Sequence, residues 1–364
     1  MKKIDSKSNR KPLITIHWSD GGIIPDDKPW RAFEVELNKY FKINYDLGTT
    51  SEYFICFNLS EKVLEWIYGL KTPLKNSILI IMEPKTVCPL NYIRQNRELF
   101  MNTFIASPLW KMNEQEVIFN WPQAIDIRKT KKIICLNKSR NKDTVLINSD
   151  KISFIKGEMY SLRKKIVCSL PIVLYGKNWN KEFPYKIRRF LFAFKKVFRQ
   201  SIVARRILFD LRVFVKNGIY LFRKPQDYRG AVLDKSILTL SEFSLVIENE
   251  LTYVSEKLFD VISAGCIPIY IGPDLKLFGL DLPRDFICNP NVHDIRRKMK
   301  FLSEMNDCDR EYVRDILLKF LQVCSHDFDS LKVMTKLAED LVSTFERNDS
   351  SREKLSNSMT ELGR

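Results

Sequence analysis

The chain of 364 residues carries a formal net charge of +16 at pH 7, and 45% of its residues are hydrophobic. This length and apolar content indicate a globular protein of two domains, each large enough to bury a core. The sequence has no run of eighteen apolar residues and its basic N-terminus lacks the apolar segment of a signal peptide, so we expect neither a membrane span nor secretion.

The eight cysteines are scattered along the chain, mostly inside apolar runs. They include no C-x-x-C pair, and the three histidines do not cluster. This pattern favours reduced thiols within the core over disulfides, and it argues against a structural zinc site. Because reduced thiols are typical of the cytoplasm, we predict a cytoplasmic protein.

The first third of the chain alternates between strand-like and helix-like segments. Strands are predicted at Leu13–Trp18, Tyr53–Asn58, Ser77–Met82, Asn102–Ala106 and Val117–Trp121, and helices at Trp30–Phe41 and Glu61–Tyr68. The run Ser77–Met82 is apolar at almost every position, which is typical of a strand in a parallel sheet covered on both faces. We therefore predict an α/β domain over residues 1–128.

A second α/β series begins at Lys131–Leu136, beyond the polar stretch Gln123–Thr130 that marks the predicted boundary. A strand is predicted at Ile172–Tyr175, and helices at Val292–Met305, Arg310–Cys324 and Ser330–Phe345. The predicted second domain covers residues 129–346, and residues 347–364 are predicted to form a polar C-terminal tail.

The segment 186–224 is strongly basic and is predicted to be an insertion in the second domain. Its twelve Lys and Arg residues stand against one acid, Asp210, so it supplies +11 of the net charge. Aromatic and aliphatic residues recur among them at helical spacing. We favour a helix on an anionic membrane surface, at the inner leaflet of the cytoplasmic membrane. A packed helix with a solvated basic face and a nucleic-acid site are the open alternatives.

The stretch Ser241–Pro273 has the clearest local pattern. Apolar runs at Phe243–Ile247 and Ile267–Ile271 predict two buried strands. Between them, Ser255 is a suitable N-cap and Gly265 a left-handed stop for a helix. This right-handed crossover brings the N-terminus of the helix to the carboxyl end of the first strand, where α/β proteins bind anions.

Lys257 falls in the first turn of that helix, where a cation is unfavourable to the helix dipole by a few tenths of a kcal/mol. We therefore predict that Lys257 has an anionic partner.

The same stretch resembles the donor-site signature of the α1,3-fucosyltransferases, the family 10 glycosyltransferases. Their pattern F-x-x-x-x-E-N is matched by FSLVIEN at 243–249, and the two motifs that follow it by YVSEKL at 253–258 and GCIPIYIG at 265–272. Weaker similarity extends to Tyr228–Gly230 with Lys235, to Tyr160–Arg163 and to Glu83–Pro84. Animal members carry a signal anchor, so the resemblance is to bacterial-type, soluble or peripheral enzymes.

The resemblance implies two Rossmann-like doubly wound domains that face a cleft, which is the GT-B glycosyltransferase architecture. Residues 1–128 would bind the acceptor and residues 129–346 the nucleotide-sugar donor. In such a reaction the enzyme stabilises the departing diphosphate and removes a proton from the acceptor hydroxyl.

For the diphosphate, Lys257 and Arg163 are the candidates, with Lys235 behind them. A solvated helix charge is the alternative interpretation of Arg163. Glu256 resembles the family glutamate that accepts hydrogen bonds from the ribose hydroxyls, and its alternative role is a carboxylate at a helix N-terminus.

Glu248, Asn249 and Tyr253 match the family's donor-loop positions. Only three residues separate Asn249 from Tyr253, so this loop is short and its contacts to the donor are open.

The catalytic base is predicted at the carboxyl end of a strand in the first domain. Glu83 follows the strand Ser77–Met82, and Pro84 restricts it to an extended conformation. The resembled family has its proposed base at such a position. A surface carboxylate is the alternative interpretation of Glu83, and His17 is the rival base, with a core histidine as its simpler explanation.

A metal is not expected to be obligatory. The strings Asp307-Cys-Asp309 and Asp327-Phe-Asp329 lie between predicted helices and not after strands, so we interpret them as chance composition. Lys257 and Arg163 would offset the charge of the diphosphate in place of a metal.

The resemblance implies an inverting transferase that moves L-fucose from GDP-β-L-fucose to a glycan hydroxyl. By resemblance the linkage would be α1,3 to N-acetylglucosamine, or to a sugar of a surface polysaccharide or lipopolysaccharide. Two alternatives are open: a transferase for another GDP-sugar, and a non-enzymatic α/β protein that binds anionic membranes or nucleic acid. No nucleic-acid motif supports the last of these.

Overall fold

The computed structural model describes residues 11–18, 28–70, 76–137, 139–198, 210–220, 223–232 and 234–362. They form two compact units. Unit 1 takes its described residues from Met1–Glu83, Leu90–Pro122 and Ser330–Arg364, and unit 2 takes them from Pro84–Pro89 and Gln123–Asp329.

Unit 1 is a parallel sheet with helices on both faces. Its strands are β1 (Leu13–Trp18), β2 (Lys42–Asn44), β3 (Tyr53–Phe57), β4 (Ser77–Ile81), β5 (Asn102–Ile105) and β6 (Val117–Ile118), and its helices are α1 (Lys28–Leu37), α2 (Glu61–Gly69), α3 (Arg94–Arg97) and, far along the chain, α11 (Ser330–Leu362). The strand order is β2-β1-β3-β4-β5-β6. The sheet therefore winds both ways from a switch point between β1 and β3.

Alternate residues of the unit 1 strands point into a core that α1 and α11 cover. The core residues include Ile14, Ile16, Ile78 and Ile80 from the sheet, Phe33 and Leu37 from α1, and Met334, Leu337, Leu341 and Phe345 from α11. The α11 residues recur at helical spacing and so present one apolar face to the sheet and α1.

The helix α11 corrects the sequence-based division of the chain. Residues 330–346, predicted in the second domain, pack in unit 1, where the Phe345 ring contacts those of Phe41 and Tyr53. The segment predicted as a polar tail continues the helix to Leu362. The apolar stripe of α11 needs a partner, and α1 supplies it from the opposite end of the chain.

Unit 2 has the second parallel sheet. Its strands are β7 (Asn141–Ile147), β8 (Val173–Tyr175), β9 (Asp227–Tyr228), β10 (Ser241–Ile247) and β11 (Ile267–Ile271), and its helices are α4 (Ile127–Leu136), α5 (Tyr160–Ser169), α6 (Phe183–Phe198), α7 (Leu211–Tyr220), α8 (Glu256–Ser263), α9 (Val292–Ser303) and α10 (Asp307–Asp327). The order β11-β10-β7-β8-β9 places the switch point between β7 and β10.

The two sheets and their helices confirm the predicted α/β class with two Rossmann-like, doubly wound units. The predicted crossover is also present: Ser255 caps α8 by accepting a hydrogen bond from the Lys257 N–H, and Gly265 ends it with a φ of +70°. A Cβ at Gly265 would lie 2.7 Å from the Arg140 guanidinium, so the position has no room for a side chain.

The second α/β series, predicted to begin at Lys131–Leu136, begins with a helix. Lys131–Leu136 lies in the helix α4, whose N-cap Asp126 accepts a hydrogen bond from the Lys129 N–H. The strand β7, which begins unit 2's sheet, escaped prediction because its first three residues are polar and exposed. Within the described part of the chain, no helix combines the length and apolarity needed to cross a membrane.

Candidate functional site

The carboxyl end of β10 lies at the switch point of unit 2, where open α/β sheets bind their ligands. The loop from Glu248 to Ser255 runs from this strand end directly to the N-terminus of α8. The predicted donor residues therefore belong to the strand end, this loop and the first turn of α8.

The side chain of Glu248 holds the two ends of that loop together. Its side chain has no exposed surface, and its carboxylate accepts hydrogen bonds from the Ser255 N–H at 3.0 Å and the Ser255 hydroxyl at 2.6 Å. The Lys257 ammonium lies 3.4 Å from the same carboxylate. Glu248 therefore positions the start of α8, and none of its surface in this structure is available to a ligand.

Lys257 is the cation that this network fixes at the helix N-terminus. Its Nζ donates to the Ser255 hydroxyl at 2.8 Å, and its side chain is 18% exposed. The predicted anionic partner of Lys257 is thus present within the protein as Glu248. Because the helix N-terminus adds N–H groups and partial positive charge, the exposed part of this arrangement suits an anion.

Arg163, on α5, holds the end of β10 in place through hydrogen bonds. It is 2% exposed, and its Nη2 donates to the Ile247 carbonyl at 2.6 Å and to Asn249 Oδ1 at 2.9 Å. Asn249 in turn donates from Nδ2 to the Tyr253 hydroxyl at 3.3 Å. The interpretation of Arg163 as a solvated helix charge is therefore wrong, and Arg163, Asn249 and Tyr253 form one network.

Burial also sets the charge properties of Arg163. Desolvation lowers the pKa of its guanidinium, and the neighbouring Tyr160 and Glu248 oppose that shift. The Nε atom is buried without a hydrogen-bond partner. A contact between Arg163 and the donor, which the resemblance implies, stays a prediction.

Arg163→Ala should therefore destabilise the protein, contrary to the expectation for a surface phosphate ligand. It leaves the Ile247 carbonyl and Asn249 Oδ1 without their donor in a buried place, at about 1–3 kcal/mol each. We expect the free energy of unfolding in urea to fall by about 3 kcal/mol or more. Lys165→Ala, an exposed position on the same helix, is the matched control and should change it by less than about 0.5 kcal/mol. Equal free energies of unfolding for the two variants would contradict this structural role of Arg163.

Lys235 was predicted to stand behind the phosphate ligands, but it is occupied by two carboxylates. Its Nζ pairs closely with Asp260 on α8 and lies 3.6 Å from Glu256 Oε1. Burial lowers the pKa of Lys235, but the charges of Asp260 and Glu256 outweigh it and raise the pKa overall. Lys235 thereby holds Glu256 at the edge of the helix.

Glu256 is half exposed at the first position of α8. Burial raises the pKa of its carboxyl, but the nearby Lys257 and Lys235 together outweigh burial, so the pKa is lowered overall. An ionised, exposed carboxylate beside the Lys257 ammonium is suited to accept hydrogen bonds from sugar hydroxyls.

A small cavity of about 30 Å³ lies behind this group, between α8 and the strands β7 and β10. Lys235, Lys257 and Asp260 line it together with Asn148 at the end of β7. Pockets for small ligands typically measure about 300–1,000 Å³. A nucleotide would therefore bind outside the strand ends and not in this cavity.

Glu83 follows β4 in unit 1 and is half-buried. Its backbone is held from two sides: Asn58 Oδ1 accepts from the Met82 and Glu83 N–H groups, each at 3.0 Å, and the Tyr92 hydroxyl donates to the Glu83 carbonyl at 3.0 Å. Asn91 fixes Asn58 through a further bond of 3.0 Å to the same oxygen. The hydrogen bonds with Asn58 and Tyr92 involve the backbone of Glu83 and do not use its carboxyl group.

Asn58 was missed by sequence reasoning, although it carried a signal. It ends the apolar run of β3 and has a φ of +56°, a conformation in which asparagine is enriched among residues with a side chain. The three donors to its Oδ1 come from residues more than twenty positions away, which spacing within the sequence does not reveal.

His17, the rival base, lies on β1 and is 4% exposed. Burial lowers the pKa of its imidazole, and the charge of Lys62 lowers it further. His17 is therefore neutral at pH 7, in keeping with a core histidine.

Glu250 is a second residue that sequence reasoning did not identify. Its buried carboxylate accepts from the Thr86 N–H at 3.2 Å and from the Thr252 hydroxyl at 2.9 Å, and Lys85 lies at 3.7 Å. These contacts attach Pro84–Pro89, the segment that follows Glu83 in the chain, to the donor loop of unit 2. Burial raises the pKa of Glu250, and Lys85 opposes the shift.

The aspartates of the two D-x-D strings lie at helix ends. Asp307 and Asp309 occupy the first turn of α10, where carboxylates are favourable to the helix dipole, and Asp327 is its last residue. Among the residues that the structure describes, no group of three or more His, Cys, Asp or Glu side chains is arranged to hold a metal ion.

Neither the models of known protein families nor the curated protein sequences match this chain. Solved structures match nearly all of it. Anabaena Alr3699/HepE in complex with UDP and glucose is 11% identical, with a TM-score of 0.50 over 91% of this chain and 100% of that one. An α1,3-fucosyltransferase is 13% identical, with a TM-score of 0.49 over 96% and 93% of the two chains. An α1,3-fucosyltransferase with GDP-fucose is 12% identical, with a TM-score of 0.47 over 95% of this chain and 93% of that one.

The likeness to HepE shows that the two Rossmann-like units have the fold of the GT-B glycosyltransferases. This agrees with the fold that the sequence resemblance implied. The shared fold does not identify the donor, the acceptor or the reaction, which depend on the residues of the site.

Proposed function

We propose that this protein is an inverting glycosyltransferase of the α1,3-fucosyltransferase type, which moves L-fucose from GDP-β-L-fucose to a hydroxyl of a glycan acceptor. The observation that carries the proposal is the network of Glu248, Ser255 and Lys257 at the switch point of unit 2. It presents a fixed ammonium and a helix N-terminus at the place where α/β folds bind phosphates. The E-N and Y-V-S-E-K-L motifs, in which these three residues lie, support the choice of family.

In the reaction, an acceptor oxygen attacks the anomeric carbon of fucose while the bond from that carbon to the β-phosphate oxygen breaks. The electron pair of the breaking bond leaves with GDP, and the acceptor proton passes to the Glu83 carboxylate. Lys257 and the N–H groups of α8 would stabilise the charge that develops on the diphosphate. Glu256 would bind the ribose hydroxyls, and Arg163 would keep the strand end in place.

The proposed acceptor is a sugar of a surface polysaccharide or lipopolysaccharide, or N-acetylglucosamine linked at its 3-hydroxyl. The proposed location is the cytoplasm. These assignments come from the sequence resemblance and from the cysteine pattern.

A transferase for a different nucleotide sugar is the second candidate. Glu256 and Lys257 would contact the ribose and the diphosphate, which every nucleoside diphosphate sugar shares. The base and the sugar must be distinguished by experiment.

Thermal unfolding in the presence of different nucleotides tests the donor. GDP and GDP-fucose should raise the melting temperature, because a ligand at a hundred times its Kd stabilises the folded state by about 2.7 kcal/mol. UDP and UDP-glucose at equal concentration should leave it unchanged. Stabilisation by UDP alone would move the proposal to a UDP-sugar, and the absence of any shift with all four would contradict a nucleotide-sugar site.

A further inference from the structure

The basic helices α6 and α7 pack against unit 2 through aromatic side chains. Phe154 lies at the centre of this contact, with ring centroids 4.8 Å from Phe190, 6.4 Å from Phe194 and 5.2 Å from Phe214. Phe190, Phe194 and Phe214 are therefore half-buried against Phe154 and are not fully available to a membrane. On the side that faces unit 2, α6 and α7 are therefore packed helices, as the alternative interpretation of this segment had it.

A charged contact fixes the same side of α6. Asp150 is buried and pairs with Lys164 of α5 at 3.2 Å, and Arg189 of α6 lies 3.8 Å from its other oxygen. The basic residues of α6 whose side chains the structure describes thus divide into two groups. Arg189 and the 9% exposed Lys186 lie on the inner side, while Arg188 and Lys195 are exposed.

Among the α6 side chains that the structure describes, the exposed ones are Tyr185, Arg188, Leu191, Phe192 and Lys195, which form its outer face. At about 100° per residue, these five positions fall within an arc of about 120°. Phe192 is 69% exposed, unusually high for so large an apolar side chain. On α7, Val215 and Ile219 are also exposed, one turn apart.

We propose that the α6 outer face binds the surface of an anionic lipid bilayer. Cations flank large apolar side chains on one stripe, so the ammonium and guanidinium groups can meet lipid phosphates while Leu191 and Phe192 enter the headgroup boundary. The whole segment 186–224 has twelve Lys and Arg residues against one acid, which matches the negative charge of such a surface. Tyr185 and Phe192 could stack on nucleic-acid bases, but Leu191 and the exposed Val215 and Ile219 of α7 could not, which favours lipid over RNA or DNA.

Binding to vesicles tests the proposal without reference to any enzymatic activity. The full-length protein should sediment with vesicles of phosphatidylglycerol and phosphatidylcholine, and not with phosphatidylcholine alone. Raising the salt from about 0.1 M to about 1 M shortens the Debye length from about 10 Å to about 3 Å and should release most of the bound protein.

Two pairs of substitutions separate the charged and apolar contributions. Arg188→Gln with Lys195→Gln should weaken binding about thirty-fold, since each basic residue near an anionic surface contributes about a factor of five. Leu191→Ser with Phe192→Ser should weaken it about tenfold or more, including at low salt. Circular dichroism and the melting temperature should show that both double variants fold.

Matched controls remove the same groups elsewhere on unit 2. Lys276→Gln with Lys300→Gln removes two exposed charges, and Tyr312→Ser with Val323→Ser removes two exposed apolar side chains. Both controls should bind like the wild type. Equal losses in controls and α6 variants would overturn the assignment to this face, as would wild-type protein that ignores anionic vesicles at low salt.

A nucleic-acid site would give a different pattern. Wild-type protein would bind single-stranded RNA or duplex DNA more tightly than the vesicles, and Leu191→Ser with Phe192→Ser would leave vesicle binding unchanged. That result would overturn the proposal for lipid.

Discussion

Lys257→Met should lower kcat/KM for GDP-fucose by about 10²–10³-fold, the effect of removing one preorganised group that stabilises developing charge. The structure adds a second consequence. Lys257 pairs with Glu248, which has no exposed surface, so the substitution leaves a buried carboxylate with Ser255 alone as its donor. We expect the free energy of unfolding to fall by about 1–3 kcal/mol.

A double variant separates these two effects. Glu248→Gln together with Lys257→Met removes both charges of the buried pair, so it should recover most of the lost stability. Transfer should stay as low as in Lys257→Met, because the ammonium is still missing. Lys276→Ala, at an exposed lysine of the same unit, should behave like the wild type in both assays. Recovery of both stability and transfer in the double variant would show that Lys257 is structural.

Glu83→Gln should abolish most transfer, by about 10²–10⁴-fold, while GDP binds with unchanged affinity. The amide keeps the shape of the side chain but cannot take a proton from the acceptor. The variant should also fold normally, because the hydrogen bonds with Asn58 and Tyr92 involve the backbone of Glu83 and are kept when the carboxyl group becomes an amide. Urea denaturation and a GDP titration check these two conditions before kinetics are interpreted.

The comparison with His17 makes the test specific. His17→Asn is expected to reduce stability and leave the pH dependence of kcat unchanged, since the imidazole is buried and its pKa is lowered by burial and Lys62. If Glu83→Gln transfers at near the wild-type rate across pH and His17→Asn does not, then His17 is the base and Glu83 has a structural role.

The crossover from β10 to β11 could be predicted because its determinants are local. Two apolar runs, the N-cap Ser255 and Gly265 fix it within thirty residues, and the structure has each of them as expected. The apolar residues of Lys131–Leu136 do not by themselves decide between strand and helix, and the cap at Asp126 and the packing of α4 on α8 and α10 make the segment helical. Such packing is decided by distant parts of the chain.

In the candidate site, too, some features could be predicted from the local sequence and others could not. Glu256 and Lys257 were predicted from a motif, and their places at the start of α8 follow from the cap. The partners of Lys235 and Glu248 emerged only in the structure, because Asp260 and Ser255 reach them through the folded helix and loop. The burial of Arg163 could not be predicted because YSLRKK is polar, whereas α5 buries both Arg163 and Lys164.

Transfer of fucose itself tests the central claim most directly. The wild-type protein should be incubated with GDP-β-L-fucose and an array of glycans, and products identified by mass and by the anomeric signal in NMR. We predict one added deoxyhexose in α linkage, absent with Glu83→Gln and with Lys257→Met. A product formed only from another nucleotide sugar, or a fucosylated product in β linkage, would contradict the proposed donor or the inverting mechanism.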